Sequence, residues 1–318
     1  MKNSILDTIG TPLVRLSSPE GATIAAKVES FNPGGSAKDR PALEMVRAAE
    51  EANDLSPGDR LVEATSGNTG IGLAVVCAAR GYDLTIVMPA SKSEERRRLL
   101  KAYGADLELV DGDMTDANDR AAELAEDEGA YLVSQFENEA NPRAHYRTTA
   151  EEILEQVDGR EVDALVASIG TGGTITGTAT RLKEEFPDMD VVGVEPAENP
   201  VLTTGESGED DYQGMGPGFV SELLDTDLLD DVEVVPLEDA EAECRRLARD
   251  EGILVGQSSG AASIAANRVA ERIAEPELNC PEPPAALADG GADYDDCPLV
   301  VTIFPDSGER YLSAGTFD

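Results

Sequence analysis

Short apolar segments alternate with helical segments along most of the chain, and this alternation limits its fold more than any other feature. The segments Ala164–Ser168 and Leu299–Phe304 are almost entirely apolar, and an alanine-rich helical segment at 71–80 follows the apolar segment at 61–64. Continuous apolar strands of this kind are typical of parallel sheets that helices cover on both faces. The sequence therefore predicts the α/β class, with two domains that each hold a mostly parallel twisted sheet flanked by helices.

A polar loop at 134–142 separates two halves that both show the alternation. We place an N-terminal domain at 1–145 and a C-terminal domain at 146–318, while strands near 12–30 are free to pair with the other domain. In parallel sheets, ligands bind at the carboxyl ends of the strands. The turns rich in Gly, Ser and Thr at those ends are therefore the candidate functional sites.

Two further segments of the second half carry expectations of their own. A short strand is expected at 253–255, because three apolar residues stand there between a helical segment and a Gly-rich turn. The stretch 275–296 is rich in Pro, Ala and acidic residues, and we interpret it as a surface insertion.

The charge of the chain excludes several kinds of partner. The 318 residues include 64 Asp and Glu against 25 Lys and Arg, which gives a formal net charge of -39. Such a surface repels nucleic acid and anionic membranes. Because dense carboxylates stay hydrated while salt screens their repulsion, we hypothesise a halophilic protein of a high-salt cytoplasm. No apolar run is typical of a signal peptide or a membrane span, so a cytoplasmic location is expected.

The chain holds one histidine and four cysteines, and these counts exclude whole classes of mechanism. A multi-histidine metal site is impossible, no G-x-S-x-G motif is present, and no cysteines form a C-x-x-C pair. We expect no metal, and we expect His145 to serve in packing or a polar contact. A disulfide between Cys280 and Cys297 is conceivable, but a cytoplasmic chain argues against it. The base of any reaction is then Lys, Tyr or a carboxylate.

One lysine stands at the start of a predicted helix. In the stretch 32–40, a Gly-rich turn precedes Ser36, and Asp39 follows three residues later in the pattern of a capping box. The positive end of a helix, together with partial burial, disfavours the ammonium form of Lys38. A neutral lysine amine can attack a carbonyl and hold it as a Schiff base. The alternative is a solvated lysine on an ordinary helix cap.

Three turns at strand ends complete the candidate site. Gly170–Thr174 can hold a phosphate with backbone N–H groups, or it is simply a tight turn, and it lacks the Lys of a P-loop. The uncharged turn 65–70 suits a ligand carboxylate or caps the following helix, and the turn 256–260 leaves the same two choices. One amine, one phosphate turn and two polar turns together fit pyridoxal phosphate, an aldehyde cofactor that bears a phosphate.

The motifs resemble the cysteine synthase (O-acetylserine sulfhydrylase) and cystathionine β-synthase family, of the pyridoxal phosphate fold type II (tryptophan-synthase-β-like). The resemblance covers nearly the whole chain. It rests on the following segments in order: Thr11-Pro12-Leu13, Ser36-Ala37-Lys38-Asp39-Arg40, Thr65-Ser66-Gly67-Asn68-Thr69-Gly70, Gln135-Phe136-Glu137-Asn138, Gly170 to Thr174, Gly256 to Gly260, and Pro305-Asp306-Ser307-Gly308-Glu309-Arg310-Tyr311.

The resemblance implies a role for each matched position, with pyridoxal 5′-phosphate bound in the cleft between the two domains. Lys38 would form the Schiff base and act as the catalytic residue that later moves the α-proton. The cofactor-binding residues would be Lys38, Asn68, Gly170, Thr171, Gly172, Gly173, Thr174 and Ser258. The substrate-binding residues would be Thr65, Ser66, Gly67, Thr69 and Gln135.

The reaction implied by the resemblance is a β-replacement through an aminoacrylate intermediate. O-acetylserine and sulfide would give cysteine and acetate, and the polar loop at 196–219, which holds no arginine, would help to select the donor. The stretch 141–150 is also similar to cystathionine β-synthase cores, which condense serine with homocysteine. A serine or threonine dehydratase and a non-catalytic, partner-binding regulator are further alternatives. The family implies a homodimer, with the C-terminal tail of serine acetyltransferase as a candidate partner.

Overall fold

The computed structural model describes residues 1–278, 280 and 297–318, and the chain divides into two compact units. The first unit comprises residues 1–9 and 32–144, and the second comprises residues 10–31 and 145–318. Most of the predicted insertion at 275–296 lies outside the described residues.

The first unit is built on a parallel sheet of four strands in the order β5-β4-β3-β6. Its strands are β3 (Arg60–Ala64), β4 (Asp83–Pro89), β5 (Asp106–Val110) and β6 (Tyr131–Leu132). Its helices are α1 (Asp39–Ala52), α2 (Asn68–Arg80), α3 (Glu94–Ala102), α4 (Met114–Glu128) and α5 (Ala140–Ala144). Helix α2 is apolar over most of its length and packs into the core with α1 and β4. It ends at Gly81, whose φ of 80° is left-handed, as expected of a glycine after a helix.

The second unit is built on six strands in the order β1-β2-β10-β7-β8-β9. The strands are β1 (Leu13–Leu16), β2 (Thr23–Val28), β7 (Ala164–Ser168), β8 (Asp190–Pro196), β9 (Asp231–Val235) and β10 (Leu299–Phe304). Only the edge pair β1 and β2 is antiparallel among the described strands. The helices are α6 (Ala150–Gln156), α7 (Gly173–Glu185), α8 (Val201–Thr204), α9 (Leu237–Arg246) and α10 (Gln257–Ile273).

The central strands of the second unit are buried along their whole length. Every residue of β2 and of β10 is buried, which is why their sequences are apolar without alternation. The exception in β2 is Lys27, whose Nζ lies 2.8 Å from a carboxylate oxygen of Glu152 and also donates to Thr11 O and Gln156 Oε1. The predicted α/β class, with mostly parallel sheets flanked by helices, is confirmed.

Two local predictions were wrong. Residues 253–255 form no strand, because Val255 makes a single antiparallel bridge to Ser307 and no ladder continues from it. Cys280 and Cys297 form a disulfide, although the expected cytoplasmic location argued for free thiols. Their Cα atoms lie 6.0 Å apart, within the range that a disulfide spans, and the sequence alone does not provide this separation.

Within residues 1–278, 280 and 297–318, no helix is both long and apolar enough to cross a membrane. The other two cysteines, Cys77 and Cys244, are buried and free. Burial raises the pKa of each thiol to about 12, so both stay protonated at neutral pH and are poor nucleophiles.

Candidate active site

Lys38 lies at the N-cap of α1, as predicted, but the predicted capping box is absent. Ser36 Oγ accepts a hydrogen bond from the Lys38 N–H at 3.3 Å, and Ser36 lies two residues before the N-cap, too early to cap the helix. The carboxylate of Asp39 instead accepts from the N–H of Gly34. The two side chains therefore close the loop in front of Lys38, and the half-buried lysine side chain stands where this loop meets the helix.

Helix α2 packs closely on the backbone of Lys38. A Cβ at Gly72 of α2 would lie 2.8 Å from the carbonyl oxygen of Lys38 and 3.2 Å from Cβ of Ala42. Glycine is therefore required at position 72 for the two helices to approach this closely. The contact fixes the backbone that carries the lysine.

The turn 65–70 connects β3 to α2, and its side chains do not cap the helix. The N-cap residue is Gly67, which as a glycine has no side chain to cap α2. Thr65 Oγ1 accepts from the Gly67 N–H at 3.2 Å, within the turn itself. The first N–H groups of a helix have no partner inside the helix, and they favour an anion. The side-chain cap that we kept as the alternative is therefore not made by the N-cap residue of this helix.

Gln135 joins this turn from the loop after β6. Its Oε1 accepts a hydrogen bond from Thr69 Oγ1 at 2.6 Å, and its carbonyl oxygen accepts from Nδ2 of Asn141 at 2.9 Å. The structure thus brings Gln135 to the turn that carries the other four predicted substrate residues, Thr65, Ser66, Gly67 and Thr69. We call these five residues the carboxylate loop set.

Sequence analysis missed two residues that hold this set. Arg96 of α3 donates from Nη1 to the carbonyl oxygen of Ser66 at 3.1 Å. Glu63, in β3, accepts from the backbone N–H groups of Ser134 and Gln135. A glutamate in the middle of an otherwise apolar strand was the available signal for Glu63, while nothing in the sequence marks Arg96 among the neighbouring arginines.

The predicted phosphate turn of the second unit connects β7 to α7 and is formed almost entirely by backbone. Gly172 has a φ of 83°, and a Cβ there would lie 2.6 Å from Cβ of Leu224. A Cβ at Gly170 would lie 2.9 Å from the carbonyl oxygen of Gly214. With small residues and the N-terminus of a 13-residue helix at its end, the turn fits a phosphate group.

His145 reaches the same turn from a π-helical segment at His145–Thr149. It is fully buried, with Nδ1 2.8 Å from Thr149 Oγ1 and Nε2 3.2 Å from Thr174 Oγ1. The polar contact expected of the single histidine is therefore made, and it ends on the last residue of the predicted phosphate turn.

The turn 256–260 starts α10, and Gly256 is its N-cap without a side-chain hydrogen bond. Ser258 is buried in the first turn of the helix. A Cβ at Gly256 would overlap the Asp306 carboxylate and the Tyr311 ring, whose hydroxyl donates to Asp306 Oδ2 at 2.8 Å. The predicted residue Ser258 is thus held on a turn that the 305–311 motif packs against.

A model of the family described as pyridoxal-phosphate dependent enzyme matches residues 5–278. The chain therefore belongs to this family of enzymes, whose cofactor is pyridoxal phosphate. The turn at 170–174 fits the phosphate of that cofactor.

Among proteins that the chain resembles, a cysteine synthase of Staphylococcus aureus (strain Mu50 / ATCC 700699) is 44% identical over 309 residues, which are 96% of this chain and 93% of the relative. A crystal structure of O-ureido-L-serine synthase is 43% identical, with a TM-score of 0.89 over 100% of this chain and 96% of that one. A crystal structure of cysteine synthase from Entamoeba histolytica is 36% identical, with a TM-score of 0.89 over 100% and 91%.

Proposed function

We propose that this enzyme is a cysteine synthase that converts O-acetylserine and sulfide to cysteine and acetate. The observation that carries the proposal is the carboxylate loop set, in which the Thr69–Gln135 hydrogen bond lies beside the N-terminus of α2 among uncharged side chains that suit a small amino acid. The 44% identity to a cysteine synthase over nearly the whole chain supports the same activity.

We propose the following roles for the predicted cofactor residues. When bound, pyridoxal phosphate supplies an electron sink for negative charge at the α-carbon of an amino acid. Lys38 would hold the cofactor through its side-chain amine, and the same amine would take the proton from the α-carbon of the substrate. Asn68 and Ser258 would contact the cofactor ring, and its phosphate would be held by Gly170, Thr171, Gly172, Gly173 and Thr174.

The carboxylate loop set orients the donor. The substrate carboxylate is bound by uncharged groups. They are the hydroxyl and backbone N–H groups of Thr65, Ser66, Gly67 and Thr69, together with the side-chain amide of Gln135. Such binding would fix the α-carbon relative to the base and would leave the β-carbon–oxygen bond free to break with departure of acetate.

The finer expectations remain proposals of ours. We propose a functional division at 1–145 and 146–318, with the lysine and the carboxylate loop set in the first part and the phosphate turn in the second. We also propose that the enzyme is a homodimer and works in a high-salt cytoplasm. The dimer would bind the C-terminal tail of serine acetyltransferase. The net charge of -39 supports the high-salt setting.

The test is a visible spectrum of the protein purified in high salt, followed by separate additions of O-acetylserine, O-phosphoserine and serine. We expect an absorption band from bound cofactor, a spectral change with O-acetylserine, and cysteine formation when sulfide follows. Lys38→Ala should lose the activity and the Schiff-base band. Turnover by Lys38→Ala, or a wild-type protein that consumes none of the donors, would contradict the proposal.

A second candidate is the synthesis of O-ureido-L-serine, which the 43% identity to O-ureido-L-serine synthase favours. That product carries an oxygen on its β-carbon, so the nucleophile would be hydroxyurea in place of sulfide. A competition assay with both nucleophiles separates the two, because the ratio of the two products gives the ratio of kcat/KM values directly. We expect cysteine to predominate.

A further inference from the structure

Glu63 is a buried carboxylate outside the set of residues to which the proposed reaction assigns a role. It lies in β3, two residues before Thr65, and is 3% exposed. A buried carboxylate is costly unless its oxygens accept hydrogen bonds. Its two oxygens are used separately: Oε2 accepts from the Ser134 N–H at 2.9 Å, and Oε1 accepts from the Gln135 N–H at 3.3 Å.

These two hydrogen bonds stabilise the turn at Ser134 and Gln135, whose backbone is strained. Ser134 has a φ of 55°, a left-handed conformation that is strained for a non-glycine residue. Asn141 also stabilises this turn, because its Nδ2 donates a hydrogen bond to the Gln135 carbonyl oxygen at 2.9 Å. The backbone of Gln135 is therefore fixed from both sides, by Glu63 at its N–H and by Asn141 at its carbonyl.

The fixed backbone sets the position of the Gln135 side chain. Its Oε1 meets the Thr69 hydroxyl at 2.6 Å, so a shift of the Gln135 backbone would break this contact or move Thr69. Both residues belong to the carboxylate loop set. Glu63 is thus linked to that set within the first unit: it bonds to the Gln135 backbone, and the Gln135 side chain bonds to Thr69.

We propose that Glu63 is a positioning residue for the amino-acid substrate: as a carboxylate it holds Ser134 and Gln135 so that Gln135 and Thr69 present a preformed site to the substrate carboxylate. This inference rests on the proposed function, and it adds a residue that acts without touching substrate.

The protonation state of Glu63 links this positioning to pH. Two N–H donors approach two different oxygens, and only the ionised carboxylate accepts fully at both. Burial, reinforced by the charge of Glu137, raises the pKa of Glu63 to about 7, while the N–H groups of Gln135 and Ser134 and the Gln135 side chain lower it. Below about pH 7 the group gains a proton, and one of the two N–H groups then faces the weaker acceptor of a protonated oxygen.

The experiment compares wild type, Glu63→Gln and Glu50→Gln. Glu50 is the matched control, because it is a glutamate of the same unit whose carboxylate accepts from Arg80 and Tyr82 and from none of these turns. We expect Glu63→Gln to raise the KM for O-acetylserine about tenfold, the effect of losing one hydrogen bond to a charged group, with the sulfide KM and kcat nearly unchanged. Glu50→Gln should leave both KM values unchanged.

Two measurements separate positioning from a general loss of stability. Peptide-resolved hydrogen exchange of the cofactor-loaded protein should show faster exchange at 133–138 in Glu63→Gln than in Glu50→Gln. In wild type, the donor KM at saturating sulfide should rise as pH falls through about 7, and this rise should be absent in Glu63→Gln. The wild-type pH profile tests the proposal even where the variant does not fold.

The proposal is overturned if Glu63→Gln keeps the wild-type donor KM and exchange rate, or if wild type shows no rise in donor KM below pH 7. A wild-type protein without β-replacement activity would refute the proposed function instead. In that case, exchange at 133–138 still decides whether Glu63 holds this turn.

Discussion

At the residue scale, the site depends on a few side chains that place others. His145 is such a side chain, because its Nε2 contacts the hydroxyl of Thr174 in the phosphate turn while its Nδ1 contacts Thr149. Neither contact was assigned from the sequence, since the histidine and Thr174 are 29 positions apart. The type of role was predictable from the residue count, but the partner was not.

Replacement of His145 should weaken cofactor binding. His145→Leu removes the contact to Thr174, and the loss of one hydrogen bond predicts a rise in the Kd of pyridoxal phosphate of about five- to tenfold. The measurement is equilibrium dialysis of the apoenzyme against the cofactor. His145→Gln, which keeps a polar group at this position, should retain tighter binding than His145→Leu; equal affinity in the two variants would argue against the contact.

The free energy of unfolding should also report Glu63. Its folded-state pKa of about 7 is raised above the ordinary value of 4.5, so the folded protein holds a proton that the unfolded chain releases between these two pH values. The contribution of Glu63 to stability therefore falls as pH rises through this window, by at most about 1.4 kcal/mol per pH unit. Urea unfolding of wild type and Glu63→Gln from pH 4.5 to 8 should show this difference in slope. If the unfolding free energies of the two proteins depend on pH in the same way, the pKa of Glu63 is not raised to about 7 in the folded protein.

At the element scale, close backbone packing holds the candidate turn of each unit. The phosphate turn illustrates it, because Gly172 combines a left-handed φ of 83° with a missing Cβ that would lie 2.6 Å from Leu224. Gly159 has a similar φ of 88°, and no atom lies within 4 Å of the position of its missing Cβ. The two positions therefore separate the cost of the backbone conformation from the cost of crowding.

Gly159→Ala should cost about 1 kcal/mol of unfolding free energy through its φ alone. Gly172→Ala should cost that amount plus about 1–3 kcal/mol, because the Leu224 backbone has to move. Chemical denaturation of both variants as apoenzymes measures the difference without any contribution from bound cofactor. If the two free-energy costs are equal, Leu224 moves aside without a measurable cost, and crowding at position 172 does not contribute to stability.

The elements themselves were largely predictable from sequence, and the details of their ends were not. Continuous apolar runs identified buried strands such as Leu299–Phe304, because burial on both faces disfavours polar residues. The same criterion failed at 253–255, where Leu254 is exposed and only Val255 is buried, at a single bridge. The spacing criterion for a capping box failed at Ser36 and Asp39, whose side chains bond within the loop instead. Local patterns do not reveal which of several nearby N–H groups a side chain meets.

At the scale of the whole molecule, the excess of carboxylates dominates the electrostatics. With 64 acidic and 25 basic residues, self-repulsion opposes the compact state, and dissolved salt screens it. We expect the unfolding temperature to rise steadily from 0.1 M to 2 M KCl. Thermal scans in KCl, with glucose at matched osmotic pressure as a control for solute exclusion, measure the effect. An unfolding temperature that is independent of KCl would refute the high-salt hypothesis.

The sequence singled out candidate turns, but it did not reveal the contacts around them. The turns 65–70 and 170–174 were proposed because each combines a distinctive composition with a place after an apolar strand, and Lys38 because it follows a Gly-rich turn at the start of a helix. Glu63 and Arg96 were missed because their roles depend on contacts with Ser134, Gln135 and Ser66 that only the folded chain creates.

The place of β2 in its sheet has a consequence for how the chain is made. This strand ends at Val28, yet it lies between β1 and β10, and β10 begins only at Leu299. During translation, one edge of β2 therefore has no partner until the segment that starts at Leu299 has emerged. The first unit has no such dependence, because its last strand ends at Leu132. We expect a ribosome-bound chain stopped before residue 299 to hold a folded first unit beside an exposed apolar strand, which makes β2 the segment most in need of a chaperone.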